Sequence, residues 1–328
     1  MKRHMIIANP AAGNGVAARR IPLLRRLLDE QDISYDLAVT ERPMHAAEIA
    51  RDAEAAGYEV VVAAGGDGTC NEVVNGLYGR TERSGPSREA KATFAVLCIG
   101  RGNDFAFANG IPHDLKDGVR LLANPQTRFI DVGRIKGDGT EEWRYFCNGV
   151  GIGFDAIVAA KAARMRRLGG FLGYAVGAIG TIIELPDAPR VRIDFDGSSV
   201  EQESPQISIM NGRRMGGAFY MAPDALPDDG LLDLWVARRV RRRTMIQLFG
   251  DFLHGTQGSS PALAFHRGTS FEIRALEGSL YAHIDGEIIA SQADHLTVEC
   301  RHESLQVVCG NIGARGAGPP SAESDERL

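Results

Sequence analysis

Residues 65 to 69 read Gly-Gly-Asp-Gly-Thr and follow directly on the apolar run Val60-Val61-Val62-Ala63-Ala64. A β-branched run closed by glycines reads as a buried strand, and the glycines allow backbone angles and close approaches that a Cβ would block. A polyanion can then sit against bare N–H groups. Asp67 by itself would repel phosphate, so its presence makes most sense with a divalent cation between carboxylate and phosphate, as in a Mg-nucleotide site. The competing reading is an ordinary tight loop between strand and helix, since Gly and Asp are common loop residues. Two more Gly- or Asn-rich turns, residues 9–15 (Asn-Pro-Ala-Ala-Gly-Asn-Gly) and 100–104 (Gly-Arg-Gly-Asn-Asp), also follow apolar runs. Loops at the carboxyl ends of parallel strands open onto one crevice, where ligands of open α/β sheets bind. The chain has neither a Gly-x-x-x-x-Gly-Lys-Ser/Thr loop nor a Gly-x-Gly-x-x-Gly turn, so a Walker-type or dinucleotide site has no motif behind it.

Such turns need a sheet to hold them. Short apolar runs at 5–8, 36–40, 58–64 and 94–99 alternate with stretches of helical spacing at 16–29, 44–56 and 71–78. This is the sequence form of a parallel α/β sheet. Residues 80–92, rich in Ser, Gly and charge, read as an exposed loop. From about Asp131 the texture changes to strand-like alternation, at 129–135, 142–146, 191–196, 206–210, 231–237, 270–274 and 296–299. The fold class expected is α/β: an N-terminal three-layer Rossmann-like nucleotide-binding domain (1–130) and a C-terminal, mostly antiparallel β-sandwich-like domain (131–303). One helical interruption, 154–184, carries Lys161, Arg164, Arg166 and Arg167 in its first half and is Gly-rich and apolar in its second. The run 304–312 is expected to return to the first domain, and 313–328, made of Gly, Pro, Ser and acid, to be a disordered tail.

At 328 residues the chain exceeds the size at which single cores stop growing, which also favours two domains. With 37 Lys plus Arg against 42 Asp plus Glu, a net charge of −5 and a pI near 5.9, it is not expected to bind nucleic acid. The five cysteines are scattered and lack metal-ligand spacing, which suits a reducing cytosol. The basic N-terminus precedes too short an apolar run for a signal peptide, and no stretch reaches the ~20 apolar residues of a membrane span. A cytoplasmic protein, or one peripheral on the inner face of a membrane, is expected.

Taken together, the three turns resemble those of the diacylglycerol kinase catalytic family, bacterial lipid kinases that share their fold and the Gly-Gly-Asp-Gly turn with sphingosine and NAD kinases. The likeness runs through residues 9–13, Gly65 to Gly76 (Gly-Gly-Asp-Gly-Thr-Cys-Asn-Glu-Val-Val-Asn-Gly) and Gly100 to Ala106. It continues through Asn148-Gly149, Gly151 to Asp155, Asn211-Gly212, Met221-Ala222-Pro223, residues 225–233 and Ile284-Asp285-Gly286-Glu287. The resemblance implies ATP phosphates over Gly13, Gly65, Gly66, Gly68, Thr69 and Gly102, with Asn9 and Thr40 near the base and ribose. It implies Mg²⁺ on Asp67, with Asn71 and Glu72 opening the next helix close to the nucleotide. For Glu72, a first-turn acid favoured by the helix dipole is the alternative. Asn103 and Asp104 would brace the crevice, and Asp285 would be the general base toward a lipid hydroxyl, with Glu287 assisting or holding metal. Without the resemblance, Asp285-Gly286 reads as a hairpin turn. Asp228, Asp229 and the carbonyl of Leu231 resemble a second, structural Mg²⁺ site, against the alternative of a solvated acidic turn.

Arg101 departs from the family's pattern, which usually has Thr or Ser there. Its guanidinium could reach a phosphate or point to solvent. The basic residues of 161–167 and Arg238, Arg239, Arg241, Arg242 and Arg243 could dock the protein on an anionic lipid surface, or be solvated faces. The function expected is transfer of the ATP γ-phosphate to a lipid hydroxyl, with diacylglycerol the first choice of acceptor. Phosphatidylglycerol, a sphingoid base, ceramide and NAD are alternative acceptors, and a non-catalytic nucleotide-binding regulator is the alternative from another class. Oligomeric state is left open, a homodimer included.

Overall fold

The computed structural model describes residues 2–79, 91–138, 142–164, 170–184 and 187–310. Most of the loop expected at 80–92, the basic residues Arg166 and Arg167, and the tail expected at 313–328 lie outside these. In chain order the elements are β1 (His4–Ala8), α1 (Val16–Glu30), β2 (Tyr35–Val39), α2 (His45–Ala55), β3 (Val60–Gly65), α3 (Asp67–Tyr78), β4 (Thr93–Cys98), α4 (Asp104–Ala108), α5 (Leu115–Ala123) and β5 (Gln126–Gly137). There follow β6 (Arg144–Phe146), β7 (Gly149–Gly153), α6 (Phe154–Arg164), α7 (Gly170–Glu184), β8 (Arg190–Phe195), β9 (Ser198–Glu203), β10 (Gln206–Met210) and β11 (Leu232–Ala237). The last are α8 (Arg242–His254), β12 (Leu263–Gly268), β13 (Ser270–Glu277), β14 (Leu280–Ile284), β15 (Glu287–Ala293) and β16 (His295–Cys309).

The N-terminal strands form a parallel sheet in the order β2-β1-β3-β4. Alternate side chains of β1, β3 and β4 point to opposite faces, and both faces are covered. Ile6, Val62 and Leu97 pack with Leu24 and Leu28 of α1, while Ile7, Val61 and Phe94 pack with Val73, Val74 and Leu77 of α3. That gives the three expected layers. The C-terminal part pairs a six-stranded sheet, β12-β11-β10-β7-β14-β15, with a second layer containing β13, β8 and β9. Ile152, Ile207 and Leu234 of the first face Ile193, Phe271 and Val298 of the second across a fully buried core.

The two halves are not separate sheets. β16 pairs parallel with β4 at Val307↔Phe94, antiparallel with β13 through residues 295–299, and antiparallel with β5 along nearly its whole length. One ten-stranded sheet therefore runs through both halves. β5 crosses the expected boundary at 130/131 without a break. Between Arg301 and Leu305 the β16 register shifts, and the buried Asp131 faces this bulge from β5. Its carboxylate accepts from Glu303 N and His302 Nδ1, each at 2.8 Å, and from Gly230 N at 2.7 Å, so one acid satisfies the donors that the bulge leaves unpaired. The single helical segment expected at 154–184 is two helices, α6 and α7.

α3 begins at Asp67, four residues before the expected start at Asn71, because Gly66 caps it and Gly66 O accepts from Thr69 N and Cys70 N. The Gly-Gly-Asp-Gly-Thr turn is thus partly the first turn of a helix. α3 also lies unusually close to α2. A Cβ at Gly76 would stand 2.2 Å from Ala47 O. In an open helix Gly→Ala gains about 1 kcal/mol, but here the clash outweighs it. We expect Gly76→Ala to lower stability by about 1–2 kcal/mol, read as a fall in the urea midpoint.

Candidate active site

Three carboxylates meet where the halves face each other. Asp67 comes from the first turn of α3, Asp104 from the start of α4, and Asp285 from the hairpin between β14 and β15. All three line one cavity of about 290 Å³, together with Arg101, Asn148 and Gly217. A second cavity of about 390 Å³ opens among Asn9, Gly13, Gly66, Thr69, Glu72 and Glu287. Asp67 and Arg101 line both. The turns that make these walls touch directly, since Gly65 O accepts from Gly100 N at 2.9 Å. A Cβ on Gly66 would approach Arg101 O to 2.8 Å, which is why that position has no side chain.

Asp285 is the most constrained of the three. It sits in the left-handed region at φ 47° in a tight Asp-Gly hairpin, so the turn reading and a site role coincide. Its Oδ1 accepts from Asn148 N (2.9 Å) and Gly149 N (3.0 Å), and its Oδ2 from Cys147 N and Asn71 Nδ2 (both 2.9 Å). Two donors on each oxygen fill the four lone-pair directions of a carboxylate. Asn71 does not open α3 beside the nucleotide; it ties α3 to Asp285 and to Tyr145 O. One turn on, Asn75 both donates to Tyr145 O and accepts from Tyr145 N, at 2.9 Å each, behaving like one residue of a neighbouring strand.

Asp104 is buried, and burial raises its pKa, although Arg214 Nε (2.8 Å) and Gly217 N (2.9 Å) hold it from the other half. Asp67 differs from both. Its Oδ1 accepts from Phe105 N at 3.0 Å, capping α4, the backbone N–H of Asp104 also faces the carboxylate, and no cationic side chain pairs with it. The side chain keeps some surface open to the cavities while its carboxyl lies deep. Burial first, then the charges of Asp104 and Asp285, push its pKa up from 3.8 to about 7. Glu287 pairs through Oε2 with Arg144 at 3.3 Å, which leaves Oε1 bare, and burial raises its pKa too. Glu72 lines the second cavity while its Oε2 accepts from Ala46 N at 3.1 Å in the first turn of α2.

Of the remaining expected residues, Gly102 lines the first cavity and Asn103 caps α4 at φ 57° beside it. Gly65 lies buried beneath the turn. Thr40 is buried just beyond β2, its N–H on Ala8 O at 2.9 Å, and lines neither cavity. The expected second metal site is not a match for its residues. Asp228 pairs with Arg128 at 3.2 Å, Asp229 pairs with Arg267, and Leu231 N donates to Asp229 Oδ1. Guanidinium groups already neutralise these acids, and among the described residues no cluster of three acidic, His or Cys ligands forms.

Sequence reasoning passed over His283 and gave no role to Asp155, which closes the family-like run Gly151 to Asp155. His283 is buried two residues before Asp285; its Nδ1 faces Gly286 N at 3.2 Å and its Nε2 stands 3.0 Å from Asp155 Oδ2. The pair braces the hairpin from below. The signals were that run, Gly-x-Gly-x-Asp, and the His-x-Asp spacing of 283–285. Beyond it, α6, the Met215–Phe219 bridge and β11 lead to an apolar cavity of about 100 Å³ lined by Ile182, Phe219, Trp235, Leu248 and Phe252.

Residues 3–135 match the diacylglycerol kinase catalytic domain family, and residues 148–309 match the YegS C-terminal NAD kinase beta sandwich-like domain. A protein of Stenotrophomonas maltophilia named a probable lipid kinase, YegS-like, is 31% identical over 82% of this chain and 85% of its own. A diacylglycerol kinase of Bacillus subtilis is 26% identical over 88% of this chain and 90% of its own. Among solved structures, a diacylglycerol kinase of Bacillus anthracis superposes with a TM-score of 0.69 at 20% identity, covering 94% of this chain and 97% of that one, which shows the shared fold.

Two outcomes test this geometry. Asp285→Asn turns an acceptor into a donor against facing N–H groups, and we expect a loss of about 2–4 kcal/mol and a clear fall in Tm. Asp67→Asn removes a poorly compensated charge yet keeps an oxygen for Phe105 N, so Tm should hold or rise. Because the pKa of Asp67 is higher folded than unfolded, the folded state binds more protons between pH 4 and 7. Stability should therefore fall as pH rises through that window, and the fall should be shallower in Asp67→Asn. Separately, Arg267→Met should lower Tm by leaving Asp229 and the buried Asp233 unpaired, whereas EDTA should leave the Tm of the nucleotide-free protein unchanged.

Proposed function

This chain belongs to the diacylglycerol kinase catalytic-domain family of lipid kinases, and on that premise we propose that it moves the γ-phosphate of ATP to the hydroxyl of diacylglycerol, giving phosphatidic acid. The observation that carries the reading is Asp67, common to two cavities of different make. One is walled by the Asn9–Gly13 and Gly66–Thr69 turns and by the N-terminal turn of α3, whose leading N–H groups and dipole favour phosphate. The other holds carboxylates and lies next to the apolar cavity, His283 lining the one and Asp155 the other. Triphosphate fits the first, an alcohol the second.

The cation that accompanies ATP fits Glu287, whose bare Oε1 is a hard oxygen on the nucleotide side; phosphate oxygens and water would complete its shell. When bound, Mg²⁺ supplies charge neutralisation at the phosphates. Its place in both cavities, the lack of a cationic partner and a pKa of about 7 suit Asp67 to take the proton of the acceptor hydroxyl near neutral pH. Asp285, with its lone pairs filled, instead fixes the 147–149 backbone that floors the acceptor cavity. Asp67 thereby takes the base role that the sequence suggested for Asp285, and the cation expected on Asp67 passes to Glu287; the reason is the count of donors on the two aspartates.

The apolar cavity accepts a short length of acyl chain, and a two-chain lipid needs α8 to move outward. α8 is tied to α7 by Arg242 Nη2 donating to Ile183 O at 3.0 Å. Around that tie, Ile179, Ile183 and Ile246 are 54%, 66% and 62% exposed beside Arg238, Arg241 and Arg243. Apolar side chains ringed by cations suit an anionic bilayer surface. Lys161, one of the other basic residues, is occupied by Glu184 at 2.6 Å.

With Mg-ATP and diacylglycerol in mixed micelles, the protein should form phosphatidic acid, faster when anionic lipid is present and less so at high salt. Asp67→Asn should lower kcat by at least about 10²-fold. Transfer to NAD or a small polyol but to no lipid alcohol would move the activity to a soluble acceptor, and ATP binding without transfer would leave a regulator.

A further inference from the structure

The two cavities share a second residue. Arg101 lines both, beside Asp67, and it supplies the one guanidinium among the described residues lining either. The other arginines nearby are committed: Arg214 to Asp104 and Arg144 to Glu287. Arg101 makes no hydrogen bond or ion pair with any described residue, and it is exposed to the cavities. Its stem passes over the Asn9–Gly13 turn, where a Cβ on Gly13 would lie 3.5 Å from Arg101 Cγ. Its backbone is fixed against Gly66, and Gly102 follows it at φ 83°. A free cation thus projects from a rigid turn toward the place where nucleotide and acceptor must meet.

The charge balance there calls for one. Asp67, Asp104, Asp285, Glu72 and Glu287 line the two cavities, and only Asp104 and Glu287 have an arginine partner. A γ-phosphoryl group entering between them meets net negative walls. In transfer, the acceptor oxygen forms a bond to the γ-phosphorus, the bond from that phosphorus to the β–γ bridging oxygen breaks, and its electron pair stays on ADP. The acceptor proton goes to Asp67. Negative charge is spread meanwhile over the three non-bridging oxygens, and a planar guanidinium matches such oxygens in a bidentate manner.

We propose that Arg101 is a catalytic residue of this chain that grips the γ-phosphoryl group during transfer, an arginine finger supplied in cis from a position where the family usually carries Thr or Ser. The inference rests on the kinase reading above.

The test compares wild type with Arg101→Thr and Arg101→Lys, as full chains with Mg-ATP, on a neutral acceptor (diacylglycerol) and an anionic one (phosphatidylglycerol). Arg101→Thr should lose at least about 30-fold in kcat on every acceptor that wild type uses, with acceptor KM changed less than threefold, and Arg101→Lys should recover part of it. Calorimetry gives a readout apart from turnover: Arg101→Thr should weaken Mg-ADP with aluminium fluoride, a mimic of the phosphoryl in flight, far more than Mg-ADP alone. An unchanged kcat overturns the proposal and leaves the kinase reading standing. So does a loss confined to KM for phosphatidylglycerol, which would make Arg101 a headgroup contact. A wild type that phosphorylates no lipid alcohol overturns both.

Discussion

Four N–H donors on one carboxylate set the shape of this molecule's centre. Asp285 gathers the backbone of 147–149, at the entry to β7, and the side chain of Asn71 from α3. These groups belong to the two halves of the chain, and a charged acceptor on four donors is among the stronger non-covalent ties available. The crevice, the acceptor cavity and the facing of Asp67 by Asp285 all follow from it. Asn75 on Tyr145 and Asp104 on Arg214 and Gly217 reinforce the same junction. The site is therefore rigid where the halves meet, which suits a reaction whose chief demand is alignment of phosphorus, acceptor and leaving oxygen.

Stability and chemistry pull apart at Asp67. Three carboxylates lining one cavity repel each other, and the protein tolerates this because Asp104 and Asp285 are heavily hydrogen-bonded. Asp67 has neither the arginine of Asp104 nor the four donors of Asp285, and its raised pKa records the cost.

Much of this was legible in the residues. The alternation of apolar runs with helical spacing over the first hundred residues gave the parallel three-layer sheet, because strands buried on both faces leave continuous Val, Ile and Ala runs. The Gly-rich turns at 9–15, 65–69 and 100–104 lie where the carboxyl-end rule put them. What could not be read was pairing at long range. A return of 304–312 to the first domain was expected, but no local pattern says that the same strand also pairs with β13 and runs along nearly all of β5. The same holds for Asn71 and Asn75, whose partners are distant backbone, and for Arg267 and Arg128, whose sequence neighbours do not hint that they sit on acids expected to bind metal. The early start of α3 was hidden because Gly-Gly-Asp-Gly reads as loop by propensity, and only Gly66 capping and packing make it helix.

β16 has one more implication, for the order of events as the chain emerges from the ribosome. The strand that lies at the seam of the ten-stranded sheet is made after every strand it touches. Until it appears, β4 exposes an open edge, β5 lacks its longest partner, and β13 has a neighbour on one side only. Unpaired edges of this sort invite pairing with other chains. Early, half-made molecules should thus depend on chaperones, and locking of both lobes should come as a single late closing step rather than lobe by lobe.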